Sequence, residues 1–289
     1  LIEFINAVGS YRFLQYALLT GVLAGFSCGI VGSFVVARRI TYMAAAVAHF
    51  VLGGMGAARY FQTVCGIEWL DPFLGAVISA VIAAVIIGLV SIYIKQNEDT
   101  VIGAVWAVGM AVGILFISQT PGYNKDLMSY LFGNILMVGS RDLWMIAVLD
   151  VVIVSVVLLF YNRLQAVCFD EEFARLRGIN VEFYYLLLLV LTALTVVLLI
   201  TVVGIVMVIA LLTLPAATAS FFSRTLWQNI LLAVVFSILF SIAGLIISYG
   251  PNLPAGATII ITAALFYILA GAVSHLKRKY WTQLPRKPA

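Results

Sequence analysis

Few side chains in this 289-residue chain combine reactive chemistry with an unusual setting. His49 stands within the run 40–58, which holds no Asp, Glu, Lys or Arg, ten residues beyond Arg39. At helical rise that is roughly 15 Å. A neutral imidazole suits zinc well and manganese less well. Ala45, Ala46 and Gly53 share its helical face and are small, which is expected to leave room beside the ring. Two readings stand: a contact for a passing divalent cation, or a ring bonded to a neighbouring backbone carbonyl. One histidine cannot close a zinc site, which usually takes three or four protein ligands. A path would need fleeting contacts, a second His49 across a two-fold axis, or a carboxylate. Asp150 is the best carboxylate available, about seven residues and roughly 10 Å into its apolar stretch. There it needs water, a partner, a cation or a proton. Its alternative role is a bond to a neighbouring helix.

The other reactive types exclude more than they suggest. Cys28, Cys65 and Cys168 have no pair spacing and imply neither a disulfide framework nor a zinc knuckle. Met55 and Met207 read as packing. No H-E-x-x-H pattern or nucleophile–base pair is present, and no G-x-x-x-x-G-K-[ST] phosphate loop, so neither catalysis nor ATP hydrolysis is assigned to this chain.

A third feature is the charged segment FDEEFARLRGINV, residues 169–181. Asp170 is a good N-cap, Glu171 and Glu172 lie at the positive end of the helix dipole, and Arg175 and Arg177 near its negative end. Gly178 can take the left-handed conformation that closes a helix. Phe173 and Leu176, three apart, share one apolar face. So short a helix is marginal alone in water and persists when something packs on it. It reads either as a docking element for a partner or as a capped connector touching lipid headgroups.

The elements that must hold these residues are membrane spans. Hydrophobic residues make up 64% of the chain and charged ones 10%. A soluble domain carries roughly 25% charge, and this much apolar side chain could not be hidden in a soluble protein of this size. Because a charge at mid-bilayer costs about 2.5–3.5 kcal/mol, the gaps between charges mark the spans. Residues 13–37, 40–58, 72–94 and 100–118 each suffice for one, as does 143–162, interrupted by Asp150. The run 183–223 should hold two, turning near Gly204, and 225–276 should split at Tyr249–Pro254. The expected fold is all-α, a single transmembrane domain over residues 1–289 with nine crossings, or eight at the lower count. Residues 127–139 are apolar but too short to span, so they are re-entrant, interfacial or a packed loop helix. Gly21, Gly25, Gly29 and Gly32 line one helical face and allow close helix packing. Pro215 is expected to kink its span, with Thr213, Thr218 and Ser220 able to satisfy freed backbone groups. A kink suits a gating helix.

Placing Arg38 and Arg39 inside puts twelve basic residues on the inner side and leaves Arg12, Arg59, Lys125 and Arg141 outside. That favours an outer amino terminus and an inner carboxyl terminus. The net charge of +4 is explained by topology and not by nucleic acid. Nothing before Arg12 has the pattern of a cleavable signal peptide.

Segment 169–178 resembles the coupling helix of permease subunits of the ABC-type importers of zinc, manganese or ferrous iron, the ABC-3 family. The resemblance runs over most of the chain: GSFVVARRITYM at 32–43, EDTVIG at 98–103, DLMSYLFGNIL, VGIVMVIALLTLPAATA at 203–219 and LPAGATII at 253–260. It implies a non-catalytic permease in a prokaryotic cytoplasmic (inner) membrane. A separate ATP-binding cassette ATPase, in two copies, would dock at residues 170–178. An extracytoplasmic metal-binding protein would deliver the ion, and nothing would be stably bound as a cofactor. One coupling segment per chain implies a homodimer. The family commonly has an aspartate four residues before this histidine and a proline four after; here they are Ala45 and Gly53. Histidine at the centre puts zinc ahead of manganese. Two rivals are a permease for a metal chelate, with a wider cavity and no bare ligand residue, and an ion-coupled carrier. The carrier predicts several buried carboxylates and an inverted repeat, against one carboxylate and no repeat here.

Overall fold

The computed structural model describes residues 2–94, 98–121, 133, 135–251 and 253–283. Most of the 127–139 segment lies outside them, and what is described of it includes a single 3-10 turn, Ile135–Met137.

Eleven α-helices follow in order among the described residues: α1 (Ile2–Ser10), α2 (Arg12–Arg38), α3 (Thr41–Val64), α4 (Pro72–Tyr93), α5 (Glu98–Gln119), α6 (Ser140–Phe169), α7 (Glu171–Leu176), α8 (Val181–Val203), α9 (Ile205–Ser220), α10 (Leu226–Tyr249) and α11 (Ala255–Gln283). Their ends follow from local chemistry. Asp71 accepts from the Leu74 N–H at 2.9 Å with Pro72 at the first helical position of α4, and Asn180 caps α8 through the Phe183 N–H at 3.0 Å. Helix α1 was not among the expected elements. Phe4 and Ala7 bury one of its faces, and Phe4 packs edge-on against Tyr249 of α10.

Among the described residues, eight helices are long and apolar enough to cross a membrane: α2, α3, α4, α5, α6, α8, α10 and α11. Helix α9 has 16 residues, roughly 24 Å at helical rise, short of a ~30 Å hydrocarbon core. It still returns the chain. Helices α2 and α10 are antiparallel, since Gly21 faces Ser241, Gly25 faces Ile238 and Gly29 faces Val234. Leu226 therefore lies at the Arg38 end. The start of α8 lies there too, where Tyr185 sits under the Arg38 guanidinium. The stretch between must go out and come back. It does so at Gly204, whose φ of 80° and ψ of 161° belong to glycine. The lower count is met by length, and the expected turn is where the chain reverses.

Helix α8 is the hub, packing on α2, α3, α4, α6 and α9. Its sequence is apolar all round, as burial on every side requires. The expected glycine face of α2 does pack closely, against α10 and, at Gly32, against the Leu212 carbonyl of α9. A second glycine seam joins α3 to α5, where a side chain at Gly53 or Gly56 would strike the Gly109 or Gly113 carbonyl. Such approaches replace the hydrophobic drive that lipid cannot supply between helices.

Candidate functional site

The segment between α6 and α8 forms the short capped helix that its residues dictate. Asp170 closes α6 by donating its N–H to the Ala166 carbonyl, and opens α7 by accepting from the Phe173 N–H, both at 2.9 Å. At the other end Gly178, φ 72°, donates to the Arg175 carbonyl at 2.9 Å, and Ile179 to the Ala174 carbonyl at 3.0 Å. That pair of bonds is a Schellman closure.

The side chains of α7 divide into two sets. Ala174 is fully buried, Glu171 pairs with Arg38 of α2, and Arg175 pairs with Glu182 of α8 at 2.8 Å. Glu172, Phe173, Leu176 and Arg177 face outward, with Phe173 47% and Leu176 87% exposed and the Arg177 guanidinium 4.9 Å from the Phe173 ring centroid. Of the five charges expected to meet a partner, Glu171 and Arg175 are spent on ion pairs inside the chain and Asp170 on capping the helix, and an apolar pair with one carboxylate and one guanidinium remains free to meet another surface. Arg38, Tyr185 and Glu182 were missed as members of this region. Arg38 had a legible signal as a cation at a span end, but its partner lies 133 positions away.

His49 lies on the α3–α5 interface, stacked on Trp106 with centroids 4.4 Å apart and rings 12° from parallel. The room expected beside the imidazole is taken by the indole. Ala45 and Ala46 are instead buried in the core. The Nδ1 atom is buried and has no hydrogen-bond partner among the described residues. The ring is therefore oriented by stacking. Asp150 lies on the α2–α6 interface, 5% exposed, and accepts a hydrogen bond from Ser27 of α2. Because α6 begins at Ser140, it sits roughly 15 Å along its helix. Its Oδ2 is buried and unpartnered. His49 and Asp150 occupy different helix pairs, and no group of three or more His, Cys, Asp or Glu able to hold a metal ion forms among the described residues.

Pro215 lies buried inside α9, which runs unbroken from Ile205 to Ser220. Proline at 215 frees the Leu211 carbonyl. The hydroxyls of Thr213, Thr218 and Ser220 donate elsewhere, to the carbonyls of Ile209, Leu214 and Ala217. The expected compensation by these three is not what they do.

Comparison with known proteins places this architecture. The profile of the ABC 3 transport family matches residues 10–274. A probable metal transport system membrane protein of Chlamydia muridarum is 39% identical over 88% of this chain and 86% of its own length. The manganese import system permease protein ScaB of Streptococcus parasanguinis is 34% identical over 96% of both. Among solved structures, PsaBC from Streptococcus pneumoniae in complex with Fab superposes with a TM-score of 0.82 at 35% identity, covering 93% of this chain and 94% of that one. With a family profile spanning nearly its whole length, and relatives this similar end to end, the chain belongs to the ABC 3 transport family.

Proposed function

We propose that this chain is the membrane-spanning permease of an ATP-driven importer of divalent metal ions. The observation that carries the reading is α7: a capped, rigid helix at one end of an apolar bundle, presenting Phe173 and Leu176 to whatever docks there. An ATPase subunit binds that face and hydrolyses ATP, a binding protein delivers metal at the opposite end, and two copies of the chain enclose the path. The Arg38 end is cytoplasmic. There Arg38, Arg175, Arg177 and the end of α11 gather, while α2 and α6 begin with Arg12 and Ser140–Arg141 at the other end.

Manganese has at least as strong a claim as zinc, since relatives over nearly the full length are named for manganese import. A site with a single imidazole and no thiolate does not demand zinc. His49 contacts the ion in transit. Asp150 contributes its unpartnered oxygen when α2 and α6 part, because that oxygen is closed off in this conformation. Pro215 places a weakened turn in α9 where helices shift between outward and inward access.

The test is uptake of radiolabelled manganese and zinc into proteoliposomes holding the permease with its ATPase and binding protein. Uptake must require ATP and the ATPase. Metal flux through the purified chain alone would refute the reading.

A further inference from the structure

At the α7 end of the bundle a single guanidinium joins three parts of the fold. Arg38 is the last residue of α2. It pairs with Glu171, the first residue of α7, and lies over the ring of Tyr185 on α8, 5.3 Å from its centroid. The Tyr185 hydroxyl is 2.9 Å from Ser91 Oγ of α4 and 3.3 Å from Met43 Sδ of α3. Immediately after Arg38, Arg39 takes the left-handed conformation at φ 61°, and α3 starts at Thr41. Helix α3 then carries His49. Helix α7 packs on α6 and α8, its own neighbours in the chain. Among the described ion pairs, Arg38–Glu171 joins it to α2. Beside the pair opens a polar cleft of about 570 Å³ lined by Ser91, Glu98, Glu182 and Tyr185, which leaves these side chains room to move together.

We propose that Arg38 is the strut by which displacement of α7 reaches the α2–α3 corner, and through it His49. This rests on the reading that an ATPase docks on α7. The residue type fits the task, because a planar guanidinium can present its edge to a carboxylate and its face to an aromatic ring, which an ammonium does less well. Glu171 is then the strut's other end and not a contact for the ATPase. The backbone corner at Arg39 makes the push productive: α2 and α3 meet there with no slack loop between them.

The test uses the full transporter in proteoliposomes, measuring metal imported per ATP hydrolysed, with retention of the ATPase and melting temperature as controls. Arg38→Glu and Glu171→Arg are each expected to lower the metal-to-ATP ratio about tenfold, within the range of coupled neighbours, while the ATPase stays bound. The double exchange should recover most of the ratio, and Arg38→Lys should recover less than wild type. Melting temperatures that stay at the wild-type value while the ratio falls distinguish the strut from an ion pair that merely supports the fold. Wild-type ratios in both single variants, or a double exchange as uncoupled as the singles, overturn the strut. If the exchanges fail to fold, Arg38→Gln and Glu171→Gln carry the same test, and an unchanged ratio in both overturns it equally. Failure of the wild-type chain to retain an ATPase overturns the docking reading first, and the strut with it.

Discussion

Replacing Gly29 with alanine adds one methyl group where α2 meets the backbone of α10. That Cβ would lie 2.5 Å from the Val234 Cα and 2.6 Å from its Cγ2, and close against its backbone nitrogen. Carbon atoms in contact sit about 3.5–4.0 Å apart, so the helices must part by about 1 Å. The Val234 backbone cannot rotate aside. Opposing this, alanine is favoured over glycine inside a helix by about 1 kcal/mol. Overpacking typically costs about 1–3 kcal/mol. The upper end applies, because separation at Gly29 also loosens the approaches at Gly21, Gly25 and Gly32 on the same face. A net loss of about 2 kcal/mol is expected, which for a chain of this size lowers the melting temperature by about 5 °C. Gly103 supplies the contrast: a Cβ there meets nothing within 4 Å. Gly103→Ala should gain about 1 kcal/mol of helix propensity and melt slightly later. Both are read by fluorescence-monitored unfolding in detergent. If Gly29→Ala melts as late as Gly103→Ala, the close approach of α2 and α10 is refuted.

Four further outcomes follow from the site. Phe173→Asp and Leu176→Asp touch exposed side chains, so melting should shift by less than about 0.5 kcal/mol equivalent while capture of the ATPase on a pull-down is lost; a complex that persists in both variants removes α7 as the docking element. His49→Ala should abolish uptake of bare metal, whereas a chelate permease would continue to transport. Trp106→Leu, which frees the imidazole, should weaken uptake more than Trp106→Phe, which keeps a stacking ring; equal activity in the two would show that the stack does not orient His49. Asp150→Asn keeps an acceptor for Ser27 and should melt with the wild type while importing metal more slowly. Asp150→Leu leaves a buried hydroxyl unpaired at a cost of about 1–3 kcal/mol, seen as earlier melting. Undiminished uptake by Asp150→Asn would reduce that carboxylate to an interhelical tie.

What the sequence alone determined is the set of membrane-spanning elements. Uncharged runs at 72–94 and 100–118 became α4 (Pro72–Tyr93) and α5 (Glu98–Gln119) because the cost of a charge in lipid depends on local composition and on nothing distant. The short capped helix α7 was legible for a similar reason: Asp170 and Gly178 act on backbone groups within four residues of themselves. The small face of α2 announced a close neighbour, yet nothing local says that the neighbour is α10. Only the tertiary structure decided the partners. It set Trp106 in the space predicted to be open beside His49, tied Asp150 to Ser27, and brought Arg38 to Glu171 across 133 positions. Periodicity and charge spacing report which face of a helix is apolar, not which other helix meets it. That choice is made by the fit of side chains across interfaces, and every member of the candidate site beyond α7's own turn depends on it.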